Sequence, residues 1–212
     1  MIIRWCGHSY FIIEAGVKVA IDPHDGESIG AGMKTCREGA DLVLVTHEHY
    51  DHNAVQVALK EGSVVIRQRA GEFSAKGVRV RGVRLFHDRE GGARRGATIA
   101  YVIEVEGVRV AHLGDVGHVL DVEQRERIGR PDVLMVPVGG VYTIGPGEAL
   151  QVIELLRPRI AIPMHYWLPG SFLPLLPLEE FLKLSRWRAR RVEGALEVRR
   201  ETLPEETLIV HF

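Results

Sequence analysis

The 212-residue sequence is short of several things. It has two cysteines, Cys6 and Cys36, too few for a disulfide framework and without the CxxC spacing of a zinc ribbon or redox pair. Charge of one sign is missing: 27 Lys and Arg oppose 28 Asp and Glu, a balance unlike that of a chain coating itself in nucleic acid. There is no uninterrupted apolar run. The most apolar region, Ile160 to Leu178, is broken by Pro163, His165, Pro169, Gly170, Pro174 and Pro177, so it cannot cross a membrane as a helix. The N-terminus, Met1-Ile2-Ile3-Arg4-Trp5, lacks a secretion-signal profile, and the cytoplasm is the expected compartment. Heat-labile amides are scarce, with one Asn (Asn53) and four Gln, which suits a thermophile or reflects an Arg-rich codon bias. What remains is the composition of an ordinary globular protein, 46% hydrophobic and 26% charged.

The pattern along the chain opens with β-type segments. Arg4–Trp5, Tyr10–Glu14 and Val17–Ile21 read as strands hinged at Gly16, and Asp41–Val45 as a compact buried strand. Asn53–Lys60 has helical spacing. Val64–Ile66, Val78–Val80, Val83–Phe86, Ala97–Val105 and Val108–Leu113 are further β stretches, several meeting at glycine. Val122–Ile128, Gly147–Leu156 and Leu178–Trp187 then read as helices, alternating with strands at Val133–Val136, Ile160–Ile162 and Leu208–Phe212. Hairpins first and alternation later predict an α+β fold of stacked sheets with helices outside, in one domain spanning 1–212. Two hairpins echo each other, Ile13–Ala20 and Ile103–Ala111, and each runs toward an aspartate, Asp22 or Asp115. Either this is what any Val- and Arg-rich hairpin looks like, or two half-domains bring their strand ends to one site.

The chemistry sits in ten histidines. Thr46-His47-Glu48-His49-Tyr50-Asp51-His52 follows directly on the strand Asp41–Val45. In an extended segment His47, His49 and Asp51 share a face while Glu48 and Tyr50 point away, and the turn that follows brings His52 beside Asp51. Imidazoles and a carboxylate converging at a strand end suit zinc, manganese or iron. His87 ends the strand Val83–Phe86 and His165 follows Ile160–Ile162, so both stand where strand ends present side chains. Asp115 follows Gly114, which leaves room for close approach. His112 and His118 flank Asp115 and compete with His87 for a place at the same centre.

His-x-His-x-Asp-His after a strand resembles the signature of the metallo-β-lactamase superfamily of metal-dependent hydrolases. Gly7-His8-Ser9, Asp22-Pro23, Gly114-Asp115, Gly139 to Pro146 and Ile162-Pro163-Met164-His165-Tyr166 extend the resemblance along nearly the whole chain. Among its branches the pattern is most similar to the small single-domain hydrolases related to L-ascorbate-6-phosphate lactonase. The resemblance implies a four-layer αββα sandwich with two divalent metal ions, zinc first, with manganese or iron as alternatives. It assigns His47, His49 and His87 to one ion and Asp51, His52 and His165 to the other, with Asp115 bridging. A shared hydroxide would then attack a small lactone, phosphodiester or related ester. Asp51 is expected to guide a proton to the leaving group, and Asp115 and Tyr142 complete the expected catalytic set.

Other features read two ways. Asp22 either orients a ligating histidine, with His8 and Thr46 behind it, or is a turn aspartate before Pro23. Tyr142 and Tyr166 either offer hydroxyls to an oxyanion or pack the rim of the site. The loop Asp88–Gly96 clamps a phosphate through Arg94 or Arg95, or is simply solvated. Trp167 to Leu176 forms a lip over the pocket or an oligomer contact. The expected partners are a small-molecule substrate and, through that last stretch, a second copy of the chain; nucleic acid and membrane are not expected. Within the superfamily, no cysteine near Asp115 argues against a β-lactamase, and the length leaves no room for a nuclease's added domain. Competing functions are a mononuclear iron dioxygenase, which would need only His47, His49 and His87, and a non-catalytic metal-binding protein.

Overall fold

The computed structural model describes residues 1–212. In chain order its strands are β1 (Ile2–Trp5), β2 (Phe11–Glu14), β3 (Lys18–Ile21), β4 (Leu42–Val45), β5 (Val64–Arg67), β6 (Gly71–Ala75) and β7 (Val78–Phe86). They continue with β8 (Ala97–Val105), β9 (Val108–His112), β10 (Val133–Pro137), β11 (Ile160–Met164), β12 (Ala189–Arg191), β13 (Leu196–Glu197) and β14 (Leu208–His211). Three α-helices interrupt the second half: α1 (Val122–Ile128), α2 (Pro146–Leu156) and α3 (Leu178–Leu184). One six-stranded sheet has the order β13-β1-β2-β3-β4-β5, and an eight-stranded sheet the order β12-β14-β11-β10-β9-β8-β7-β6.

Two-residue alternation builds the layers. Along β8, Ile99, Tyr101, Ile103 and Val105 face a core shared with Phe11, Ile13, Val19, Ile21, Leu42 and Leu44 of the other sheet. Ala100 and Val102 face the opposite way, into a second core that α2 and α3 close with Val152, Ile153, Leu156 and Phe181. The expected α+β sandwich is therefore the one present. Helix caps are local: Asp121 accepts from Gln124 N at the start of α1, and Glu148 accepts from Gly145 N at the start of α2.

The outer face of the six-stranded sheet differs from expectation. The predicted helix over Asn53–Lys60 is a single 3-10 turn, Val55–Val57. The chain is held on both sides there, with Ala54 N donating to Pro23 O and Ala40 N donating to Ala58 O, so only one turn fits between fixed ends. This face carries the smallest core, which includes Ile12, Ala20, Val43, Val57 and Ala58. Cys6 joins it, bonded to Cys36 in a disulfide that the sequence reading did not predict.

Two stretches expected to break at Gly82 run instead as one strand, β7. A Cβ at Gly82 would lie 2.0 Å from Arg69 O, so the missing side chain admits a neighbouring segment without ending the strand. Helix α3 stops at Leu184, short of Trp187, because Ser185 is already extended.

Strand direction positions the site. β3 and β4 run parallel, as do β9, β10 and β11, and β7 runs with β9 because each is antiparallel to β8. Asp22, Thr46–His52, His87, Asp115 and His165 each follow the C-terminal end of one of these strands.

Candidate metal centre

The ends of five strands bring these histidines and aspartates together. His47, His49 and His87 form one group with ligand atoms within 4.8 Å of one another, and His8, Asp51, His52 and His165 form a second. Asp115 lies between them. Its Oδ2 is 3.2 Å from Nε2 of His52, 3.2 Å from Nε2 of His87, 3.0 Å from Nε2 of His165 and 3.8 Å from Nε2 of His47. The segment after β4 turns sooner than an extended chain would, with His52 N donating to His49 O, and this divides Asp51 and His52 from His47 and His49. Glu48 and Tyr50, expected to point away, both stand on the wall of the cleft beside Asp51, with Glu48 paired to Arg67 at 2.8 Å.

Asp22 orients two of the imidazoles. It accepts from Thr46 N (2.7 Å), Thr46 Oγ1 (2.7 Å) and His52 Nδ1 (2.9 Å). The Thr46 hydroxyl, having donated to Asp22, accepts from His47 Nδ1 at 3.0 Å. Both rings thus keep their Nδ1 protons occupied and turn Nε2 inward. The two echoing hairpins meet here, because Asp22 and Asp115 stand on opposite edges of the same His52 ring. His8, expected behind Asp22, instead lies 3.0 Å from Asp51 Oδ2 through Nε2 and packs on His165 with ring centroids 4.1 Å apart. His8, Asp22 and His165 all hold left-handed backbone (φ near +52°), an uncommon conformation for non-glycine residues that concentrates at functional sites.

The competitors of His87 are engaged elsewhere. His112 donates from Nε2 to Ser9 O and accepts from Gly114 N at Nδ1. His118 accepts from Phe86 N. Tyr166 is buried against Trp5, ring centroids 5.3 Å apart, so it packs and does not face the cleft. Tyr142 does face it. A cleft of about 410 Å³ is lined by Asp51, His87, Asp115 and His165 together with Arg95, Tyr142 and Leu173. Leu173 comes from the Trp167–Leu176 stretch, which is tied to the other sheet's loop by Ala31 N donating to Gly170 O and Phe172 N donating to Ile29 O.

The electrostatics of the cluster suit a cation. Burial would raise the carboxyl groups of Asp22, Asp51 and Asp115, yet the surrounding histidines, His52 among them for each, hold all three below the usual range. Burial likewise opposes a proton on His52, but Asp115, Asp51 and Asp22 outweigh it and raise that imidazole well above its ordinary value. Burial and the charge of His52 push His47 down to about 3; burial and His165 do the same to His8. Three carboxylates, Asp22, Asp51 and Asp115, are thus held ionised among buried imidazoles, a charge that a bound cation would offset. His47 Nε2 and His52 Nε2, the ring atoms turned inward, are buried without a hydrogen-bond partner, as is Asp115 Oδ1. Each such orphan costs about 1–3 kcal/mol. An all-nitrogen-and-oxygen donor set with inward orphans fits divalent zinc, manganese or iron.

Residues 2–165 match the family described as the beta-lactamase superfamily domain. A UPF0173 metal-dependent hydrolase of Archaeoglobus fulgidus is 32% identical over 78% of this chain and 83% of its own length. A crystal structure assigned as a Zn-dependent hydrolase of the metallo-β-lactamase superfamily, from Thermotoga maritima, is 36% identical with a TM-score of 0.79, covering 99% of this chain and 98% of that one. A metallo hydrolase from Ignicoccus hospitalis is 25% identical with a TM-score of 0.66, over 93% and 99% of the two chains. The chain belongs to the metallo-β-lactamase superfamily and, within it, to the UPF0173 metal-dependent hydrolase family.

Proposed function

We propose that the protein is a hydrolase with two divalent metal ions, of which zinc is the first candidate, acting on a small lactone, phosphodiester or related ester. His47, His49 and His87 would hold one ion, Asp51, His52 and His165 the other, and Asp115 would reach both. The observation that carries this reading is Asp115 Oδ2, set within 3.8 Å of four imidazole Nε2 atoms drawn from the two groups. Bound metal would supply Lewis acidity toward the scissile carbonyl or phosphoryl oxygen and a nucleophile from water at neutral pH.

The chain's own residues do the rest. Asp22 fixes His47, through Thr46, and His52 in the tautomer that offers Nε2. His8 holds one oxygen of Asp51, whose carboxylate lines the cleft and can carry a proton to a leaving group. Tyr142 is set at the mouth, where its hydroxyl can donate to the developing oxyanion. A mononuclear iron dioxygenase needs only the first triad and would give Asp51, His52 and His165 nothing to do. The proposed unit is one domain, because a single core joins both sheets. The proposed compartment is the cytoplasm of a heat-adapted cell, where intracellular disulfides such as Cys6–Cys36 occur.

The test is turnover on a panel of lactones, phosphodiesters and esters by zinc- and manganese-loaded protein. Hydrolysis that a chelator abolishes and Asp51→Ala lowers by about 10²-fold or more is expected, the range of a general acid or base. No hydrolysis of any substrate would leave a non-catalytic metal-binding protein.

A further inference from the structure

The loop between His87 and β8 is built around one carboxylate. Asp88 Oδ1 accepts from the backbone N–H groups of Glu90 (2.9 Å) and Gly92 (2.8 Å), and Oδ2 from those of Arg94 (2.9 Å) and Arg95 (2.8 Å). Four bonds to one side chain fix the course of a loop that begins at a candidate metal ligand. The loop is solvent-exposed from Arg89 to Gly96, Gly92 excepted, yet its backbone is pinned by Asp88.

Its three arginines are not equivalent. Arg89 pairs with Glu148 at 2.8 Å, and Arg94 lies 3.4 Å from Glu90. Arg95 has no carboxylate within ion-pair distance, and its guanidinium donates no hydrogen bond in the protein. It rests instead 4.6 Å over the ring of Tyr142, and both residues line the cleft that holds Asp51, His87, Asp115 and His165. Glu48, the remaining acidic residue on that wall, is taken by Arg67. A guanidinium held over an aromatic face, with its donors free, is prepared for a planar or tetrahedral oxyanion.

We infer that Arg95 is the specificity-determining residue of the site, binding an anionic group that the substrate carries apart from its scissile bond. This rests on the hydrolase reading and narrows it: the preferred substrate is an anion, a carboxylate or a phosphate ester, and not a neutral lactone or ester. Tyr142 supports the guanidinium, and Asp88 sets it in place through the Arg95 amide.

The inference is tested by calorimetric titration of zinc-loaded protein with three alkyl hydroxamates of equal length, ending in a methyl, a carboxylate or a phosphonate group. The hydroxamate occupies the metal centre in each, so the tails report on the rim. Wild-type protein should bind at least one anionic tail about tenfold or more tightly than the methyl tail, the worth of a charge-assisted bidentate contact. The better of the two anions identifies the group. Arg95→Ala should erase the preference and leave the methyl-tailed compound's affinity unchanged, Arg95→Lys should keep part of it, and Arg94→Ala all of it. Equal wild-type affinities for the three tails, or an equal loss for all three in Arg95→Ala, overturns the inference. Binding is read without turnover, so a preserved tail preference in a protein that hydrolyses nothing would sink the hydrolase reading and leave Arg95 as an anion-binding residue.

Discussion

At the scale of single residues, the site depends on groups that would touch no metal as much as on those that would. Asp22 takes three hydrogen bonds, two from Thr46 and one from His52, and so fixes two imidazoles at once. Removing it frees His52 Nδ1 and loosens His47. Asp22→Ala is expected to weaken zinc binding about 10–100-fold, the usual effect of losing an orienting partner behind a ligand. Competition against a chromophoric chelator measures this, with circular dichroism to show that the fold survives; unchanged affinity would make Asp22 a turn residue and no more. Asp22, Thr46 and the seven candidate ligands were legible through the resemblance to the family's motifs, supported by the strand ends they follow, which show as apolar runs. The same reading misplaced His8, whose partner Asp51 lies 43 residues away and is brought near only by the left-handed turn at Gly7-His8.

At the scale of elements, close approach explains what apolar patterning alone did not. Gly114 has φ +55°, and a Cβ there would lie 2.3 Å from Thr98 Oγ1 and 2.9 Å from Thr46 Oγ1. That methyl would push on the same threonine that links Asp22 to His47 and on the hydroxyl that accepts from Asp115 N. Gly114→Ala should destabilise the protein by about 1–3 kcal/mol through overpacking and lower its metal content as well. A urea midpoint and a metal assay on the same preparation check both effects; a stable variant with full metal would show that the turn yields freely. Long, nearly continuous apolar strands such as β8 were readable because both of their faces are buried in different cores. β6 was not, since it is mostly exposed with Phe73 its lone large apolar side chain, and it exists by pairing with β7. The predicted helix over Asn53–Lys60 had the spacing but not the room, its ends being held by Pro23 and Ala40.

Over the whole molecule, no helix is long and apolar enough to cross a membrane, and stability comes from two large cores and one small one. The small core is the one the Cys6–Cys36 bond reinforces, across a sequence separation of 30. Two cysteines without a motif spacing gave no sign of this, because pairing depends on a fold that carries the segment after β3 back to β1. Closing a loop of that size is worth on the order of 3–4 kcal/mol through the unfolded chain. Replacing both residues by serine should lower Tm by about 5–15 °C, given 2–4 °C per kcal/mol for a chain of this length. Calorimetry of the variant beside the wild type, with and without reductant, tests it, and a reductant-insensitive wild type with an unchanged variant would contradict it.

The central claim is a pair of metal ions joined by Asp115. Its most direct test is elemental mass spectrometry of metal per chain, on wild-type and Asp115→Ala protein purified without added metal. Two equivalents of zinc or manganese in the wild type, with loss of at least one in the variant, is the predicted result. A single equivalent of iron that survives Asp115→Ala would contradict the dinuclear account and turn the protein toward oxygen chemistry.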